Sequence, residues 1–219
     1  MRRRPKPPEP PGPPEPPEPI DNALVAAYAL ADLGKLAEAR ARLTALRTTG
    51  GRDAPSPEAV TIALARLADR AGDAAGALAL LEPLLAAKPD LIAACNLAGY
   101  LLADANQRLG DAERYLRHAR ELSPGDPAIL DSWGWLLLRR GQARAAVRAL
   151  DRASRFAPLE PEILVHLAAA WAADGAPRTA AATLDRAATL RPGPAVQKRI
   201  AALRQTLASA AGPRRPRVP

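Results

Sequence analysis

The chain has 219 residues, a net charge of +8 at pH 7 and an aromatic content of only 3%. Its one cysteine, Cys95, excludes an intrachain disulfide, and no apolar run approaches the roughly 18 residues of a membrane span. The basic start of the chain is followed by no apolar segment, so residues 1–19 are not predicted to be a signal peptide. We therefore expect a cytoplasmic protein, or a periplasmic or envelope protein if the true start lies upstream.

The chain opens with a proline-rich arm, residues 1–19, which contains ten prolines. Because proline fixes φ and has no N–H to donate, this composition excludes helix and sheet and predicts a disordered arm that samples extended polyproline II. The arm is interpreted as a solvated spacer or as a docking ligand for a proline-binding partner. Proline–glutamate spacers of this kind also follow membrane anchors in bacterial envelope proteins.

Residues 127–160 contain two amphipathic helical patterns separated by a glycine. Leu130, Trp133 and Leu137 recur at the spacing of one helix face, and Gly141 stands where that helix is predicted to end. The same pattern returns at steps of 34 residues. It predicts five repeats over residues 20–57, 58–91, 92–126, 127–160 and 161–194, with one residue inserted near 106–109.

The period, and small residues such as Gly134, Ala146 and Ala153 where two helices approach closely, resemble the tetratricopeptide repeat family of bacterial type. The resemblance implies an all-α fold, a right-handed α-solenoid of five helix–turn–helix repeats. Residues 195–210 are predicted to form a C-terminal capping helix, because a terminal repeat needs a cover for its last apolar face. Residues 211–219 are predicted to be a basic, disordered tail.

Several local signals mark helix boundaries within this scheme. Ser56 and Asp126 are predicted N-caps, each followed by a proline at the first helical position. Pro83 falls inside a predicted helix, which it is expected to bend while freeing the carbonyl of Ala79.

No constellation of residues indicates an enzyme, a cofactor, a metal site or a small-molecule substrate. The only two histidines, His118 and His166, fall in different repeats, and no phosphate-binding glycine loop or nucleophile elbow is present. Asp131 and Ser132 are expected to be surface groups on a helix ridge. Cys95 is expected to be a buried structural thiol.

The resemblance implies that the first helix of each repeat lines a concave face on which ligands bind. At the ninth position of the repeats it places three aromatic side chains, Tyr28, Tyr100 and Trp135, which we interpret as anchors for a partner segment. The polar residues expected around them are Arg66, Asp69, Arg70, Asn96, Asp131, Arg139 and His166. The alternative is that the three rings pack on neighbouring helices and merely stiffen the array.

The sequence therefore predicts a non-catalytic scaffold or adaptor that binds a protein or peptide segment. Two alternatives stay open. The segments 96–103 and 131–137 also resemble tetratricopeptide proteins of cell-envelope and exopolysaccharide-export systems, which suggests an assembly factor whose anchor is missing from this sequence. A helical repeat that binds RNA or another acidic polymer would use Arg66, Arg70, Arg139 and the tail, but the mixed charges of the body make nucleic acid an unlikely partner.

Overall fold

The computed structural model describes residues 22–47 and 54–210. The predicted arm, most of the loop after the first repeat and the predicted basic tail lie outside the described residues. In the described ranges all regular secondary structure is α-helical. The helices are α1 (Asn22–Asp32), α2 (Leu36–Leu46), α3 (Pro57–Arg70), α4 (Ala74–Ala87), α5 (Ile92–Asp104), α6 (Leu109–Leu122), α7 (Pro127–Arg139), α8 (Ala143–Phe156), α9 (Pro161–Ala173), α10 (Pro177–Thr189) and α11 (Pro194–Ala210).

The first ten described helices pair as five consecutive hairpins, and each hairpin packs against the next. The first helix of a hairpin contacts both helices of the preceding one, as α7 does with α5 and α6. The core is correspondingly a row of small clusters along the chain. The predicted all-α solenoid of five repeats with a capping helix is confirmed.

The capping helix α11 covers the last hairpin through one fully inserted side chain. Ile200 is buried in a cluster with Leu164 and Leu184, while Leu203 and Leu207 pack at its margin. Most of the remaining surface of α11 is exposed. The helix therefore closes the apolar face of the last described hairpin.

The turns inside the hairpins follow one geometry with one exception. Four of them place a glycine at positive φ, as Gly141 does at 73°, because a side chain is strained in that conformation. The α5–α6 turn is one residue longer, and there Asn106 and Arg108 adopt φ of 53° and 44°. This is the predicted insertion, and asparagine is among the residues that tolerate the left-handed region best.

The predicted helix caps are present. The Ser56 hydroxyl accepts a hydrogen bond from the Ala59 N–H at 3.1 Å, and the Asp126 carboxylate accepts from the N–H groups of Ala128 and Ile129. Pro83 lies in the middle of α4. The helix nevertheless runs from Ala74 to Ala87 as one element.

Two glycines allow the helices of a hairpin to approach closely. A Cβ added to Gly134 would lie 2.5 Å from Leu150 Cγ, and one added to Gly99 would lie 2.5 Å from Leu116 Cγ and 3.1 Å from the Ala112 carbonyl oxygen. The small residue at this repeat position is therefore required by the partner helix. None of the described helices is long and apolar enough to cross a membrane.

Candidate partner-binding face

The predicted anchors come from three first helices: Tyr28 from α1, Tyr100 from α5 and Trp135 from α7. Each side chain is half-buried and packs at the margin of a core cluster. Each ring therefore has a packing role on one side and an accessible surface on the other. We call the surface formed by the first helices α1, α3, α5, α7 and α9 the groove face.

Asp131 and His166 form a buried pair beneath the groove face. His166 is 1% exposed and Asp131 is 8% exposed, and the two carboxylate oxygens lie 2.9 and 3.0 Å from His166 Nδ1. Burial lowers the pKa of His166, but the charge and hydrogen bond of Asp131 outweigh it, so this pKa lies above its usual value. The expectation that Asp131 and Ser132 are surface groups is wrong, since both are buried against neighbouring helices.

The His166 imidazole supports two of the predicted anchors. The Trp135 ring stacks on it with centroids 4.4 Å apart and an interplanar angle of 26°, and the Tyr100 ring lies 6.1 Å away at 36°. Three consecutive repeats thus contribute one aromatic side chain each to a single cluster. Because His166 is held by Asp131 from behind, the cluster has a fixed base.

Arg199, which the sequence analysis missed, reaches this cluster from α11. Its guanidinium donates to the Tyr100 hydroxyl at 3.2 Å and to the Glu162 carboxylate at 2.5 Å, and it lies 3.5 Å from His166 Nε2. One further step of 34 residues would have found it, because Arg199 occupies in α11 the repeat position that Asp131 occupies in α7. The capping helix is therefore part of the site.

A second group holds the outer edge of Trp135. The indole N–H donates to Asp104 at 3.0 Å. Arg139 Nε donates to the Ala103 carbonyl at 3.2 Å and places its guanidinium 5.9 Å from the Trp135 ring centroid. Asp104 was not among the predicted site residues, although it follows Tyr100 by one helical turn.

The N-terminal part of the groove face carries charged side chains that form fewer contacts than those around Trp135. Arg70 pairs with Asp32 at 2.5 Å, whereas Arg66 is exposed and forms no ion pair within the described residues. Burial raises the pKa of Tyr28, and the charges of Arg66 and Arg70 lower it in part. The Tyr28 hydroxyl is therefore neutral and lies in a positive field.

Two of the predicted polar residues, Asp69 and Asn96, have side-chain oxygens without a partner within the described residues. Burial, and then the charge of Asp104, raise the pKa of Asp69, whose carboxylate has no ion-pair partner within the described ranges. The Asn96 Oδ1 atom is buried and has no hydrogen-bond partner. The structure thus brings Tyr100, Asp131, Trp135, Arg139 and His166 into one contact network, while Tyr28, Arg66 and Arg70 form a separate group.

A cleft of about 590 Å³ lies away from this face, between the second helices α4 and α6. Its lining includes Tyr115, His118 and Cys95. His118 bonds to Asp90 at 2.8 Å, and burial raises the pKa of the Cys95 thiol, which is inaccessible at 1% exposure. No group of side chains in the described ranges could hold a metal ion.

The repeated hairpins, their small contact residues and the common groove face define a solenoid of the tetratricopeptide type, and the chain is similar to bacterial tetratricopeptide-repeat proteins. No protein-family model matches the chain. A TPR repeat-containing protein of Pseudomonas aeruginosa is 40% identical over 101 residues. That match spans 46% of this chain but only 17% of the length of the relative.

Solved structures agree with the fold. A thermophilic tetratricopeptide protein of Thermus thermophilus superposes with a TM-score of 0.67 at 23% identity, over 87% of this chain and 97% of that one. MamA of Desulfovibrio magneticus gives a TM-score of 0.54 at 17% identity, over 77% and 93%. An O-GlcNAc transferase of Thermobaculum terrenum gives 0.53 at 26% identity, over 62% of this chain and 27% of the transferase.

Proposed function

We propose that this protein is a non-catalytic adaptor that holds an extended or helical segment of a partner protein on its groove face. The tetratricopeptide fold is in general a scaffold for protein–protein interaction. We assign direct contact to Tyr28, Tyr100 and Trp135 and to the exposed polar groups beside them.

The observation that carries the proposal is the aromatic cluster fixed on the buried Asp131–His166 pair. Trp135 and Tyr100 are held by His166, Asp104 and Arg199, so they lose little conformational freedom when a partner covers them. Preformed aromatic surfaces of this kind are typical anchors of protein interfaces. His166 and Asp131 then act as positioning residues rather than contacts.

Other polar residues of the groove face have groups without a partner within the described residues. Asn96 is half-buried on this face, and its Oδ1 atom is enclosed without a hydrogen-bond partner in the described structure. Asp69 and Arg66 offer opposite charges on one helix face, since they are three residues apart in α3. A partner that supplies complementary charges would pair with Asp69 and Arg66, which favours a peptide over an apolar ligand.

A catalytic role does not fit the same geometry. The Asp131–His166 pair is closed off from solvent, so its imidazole cannot reach a substrate without opening the core. His118 is more exposed but is bonded to Asp90, and its nearest cleft contains a thiol that is almost fully buried. We therefore propose neither a cofactor nor a small-molecule substrate.

The test is quantitative affinity capture from lysate of the source organism. The bait is compared with a variant in which Tyr28, Tyr100 and Trp135 are all changed to alanine, after circular dichroism and melting show that the variant is folded. The matched control is Phe156→Ala, an aromatic side chain that is 55% exposed at the end of the second helix α8. We expect one protein to be lost with the triple variant and retained with the control.

Two results would replace the proposal. If the same protein is captured equally by all three baits, the rings only stiffen the array. If the captured material is nucleic acid and its binding falls by about 0.7 log units per tenfold rise in salt for each phosphate neutralised, the groove binds an acidic polymer. Capture of an envelope assembly component would keep the adaptor function and assign it to that system.

A further inference from the structure

Arg199 of the capping helix places its guanidinium on the aromatic cluster of the groove face. One of its terminal nitrogens lies 2.5 Å from the Glu162 carboxylate of α9, and the other donates to the Tyr100 hydroxyl of α5 at 3.2 Å. The nitrogen next to Glu162 also lies 3.5 Å from His166 Nε2. A guanidinium group of the chain itself therefore occupies this part of the groove face.

The contact of Arg199 is not what fastens the capping helix. The helix α11 is attached through apolar side chains, chiefly the buried Ile200 with Leu203 and Leu207 beside it. The side chains of Arg199 and Glu162 are 41% and 48% exposed, and an ion pair as exposed as this contributes little to stability. Arg199 can therefore leave the cluster while α11 stays in place.

Three carboxylates share this part of the face with the one guanidinium of Arg199. Burial raises the pKa of Tyr100, the charge of Arg199 lowers it in part, and the charges of Asp104 and Glu162 raise it further. Burial and the charge of Asp104 also raise the pKa of Asp69, on which Arg199 and Glu162 act as well. These four charged groups therefore lie close enough to interact with one another.

The carboxylates of Asp69 and Asp104 stay without an ion pair within the described residues, although two more arginines lie on the same face. Arg139 donates to a backbone carbonyl, and Arg66 acts on Asp69 less strongly than Asp104, Arg199 or Glu162 does. Two carboxylates beside the aromatic cluster can therefore pair with a cation that a partner brings.

The acceptors of this cluster suit a guanidinium better than an ammonium. A guanidinium has five N–H donors in a planar fork, so it can reach a carboxylate and a hydroxyl at once, whereas an ammonium is a compact point charge. Arg199 uses its two terminal nitrogens in this way, one for Glu162 and one for Tyr100. The geometry of the contact therefore shows which side chain the cluster accepts.

We propose that the groove face recognises an arginine side chain of the partner segment at Tyr100 and Glu162, and that Arg199 occupies this site until the partner's arginine replaces it. The inference rests on the proposed function, because it specifies the chemistry of the bound segment. The incoming guanidinium takes over the two bonds of Arg199 and gains the nearby carboxylates of Asp69 and Asp104.

Nuclear magnetic resonance of the full-length chain, titrated with Nα-acetyl-arginine amide at constant ionic strength, tests the proposal. The site is emptied by Arg199→Met, which keeps a stem of similar length and removes the guanidinium. The readout is the indole N–H signal of Trp135, which stacks on His166; the other two tryptophans are internal references. The signal is assigned with Trp135→Phe.

We expect the probe to shift the Trp135 signal of the Arg199→Met variant. Binding to the wild type is expected to be weaker by at least about fivefold, the factor that one exposed ion pair contributes at its strongest, because the probe must displace Arg199. Arg199→Ala is measured alongside and is expected to agree with Arg199→Met, so that the result does not depend on where the methionine stem lies. Circular dichroism shows beforehand that both variants are folded.

Matched controls separate recognition of arginine from a general effect of charge. Nα-acetyl-citrulline amide has nearly the same shape without the charge, and we expect no shift with it; Nα-acetyl-lysine amide is expected to bind more weakly than the arginine probe. Arg204→Met removes another arginine of α11, which pairs with Asp185 at 2.6 Å, and is expected to behave as the wild type. Tyr100→Phe, added to Arg199→Met, is expected to weaken binding because the acceptor hydroxyl is lost.

Two results would overturn the inference. Equal affinity of the probe for the wild type and both Arg199 variants would show that Arg199 does not occupy the site. Binding of the citrulline or lysine probe as tight as that of the arginine probe would show that the site does not select a guanidinium. Either result leaves the adaptor function standing if lysate capture still depends on the three anchors. Capture that does not depend on them, with normal binding of the probe, removes the adaptor function instead.

Discussion

The buried Asp131–His166 pair leads to a prediction about stability and its pH dependence. The perturbation is Asp131→Asn, which keeps the size of the side chain and an oxygen that can accept from His166 Nδ1–H, but removes the charge. In the wild type only the carboxylates of Asp131 and Glu162 raise the pKa of His166, while burial and Arg199 lower it. Without the Asp131 charge we expect His166 to be neutral throughout the neutral range.

The magnitude follows from the nature of the bond that is lost. A hydrogen bond between charged groups contributes about 1.5–3 kcal/mol, and a neutral one about 0.5–1.5. Because the variant keeps the neutral bond, we expect the free energy of unfolding to fall by about 1–2 kcal/mol near pH 6. Complete loss of one partner from a buried pair would cost more, about 3–5 kcal/mol.

The sign of the pH dependence is fixed by the raised pKa of His166. A group whose pKa is higher in the folded state contributes its full stabilisation below the unfolded value, about 6.5 for histidine, and loses it as the pH rises through the folded value. The difference between wild type and variant should therefore be largest at about pH 6 and should decrease at about pH 9.

The assay is urea unfolding followed by circular dichroism at both pH values. The matched control is Asp151→Asn, which removes a surface carboxylate that pairs with Arg155 at 2.8 Å in α8. An exposed pair of this kind is worth about 0.3–0.5 kcal/mol. The reasoning fails if Asp131→Asn costs no more than the control, or if its cost is the same at both pH values.

Further predictions concern the backbone packing of the hairpins. Gly134→Ala is expected to lower the free energy of unfolding by about 1–2 kcal/mol, because the new methyl group would lie 2.5 Å from Leu150 Cγ. Gly110→Ala, also in a helix but with no atom within 4 Å of the new Cβ, is expected to raise it by up to about 1 kcal/mol. If urea unfolding gives the same change in the free energy of unfolding for both variants, the close approach of α7 and α8 at Gly134 is contradicted. Pro83→Ala should raise the melting temperature, since it restores a donor to the Ala79 carbonyl at an exposed site; a lower value would show that the ring packs usefully.

Much of the fold could be predicted because its signals are local and recur. The register of the repeats, the caps at Ser56 and Asp126 and the extra residue before Leu109 each depend on a few neighbouring residues, and the structure has all of them. The sequence also predicted a small residue at position 134, because small residues recur at this position of the repeat, and the structure leaves no space for a Cβ there. Because the same local pattern occurs in five repeats, each repeat supports the boundaries predicted for the others.

The site was harder to predict because its contacts cross repeats. Arg199 meets Tyr100 across 99 residues, and His166 meets Asp131 across 35. The repeat pattern predicts the helix face on which a residue lies, but not how far its side chain is buried. Ser132 and His166 both occupy the sixth position of the repeat, which is buried against the preceding hairpin. Because both side chains are polar, the sequence alone indicates a surface position.

The same sixth position explains why the two ends of the groove face differ. In the last repeat this position holds His166. Its buried imidazole bonds to Asp131 and supports the rings of Trp135 and Tyr100. In the first repeat it holds Val25, which has no hairpin to pack against and is exposed. The buried pair and the capping helix hold the C-terminal part of the face from two sides. Val25 has no comparable contact within the described residues, so we expect α1, and Tyr28 with it, to exchange amide hydrogens faster than α7 and α9.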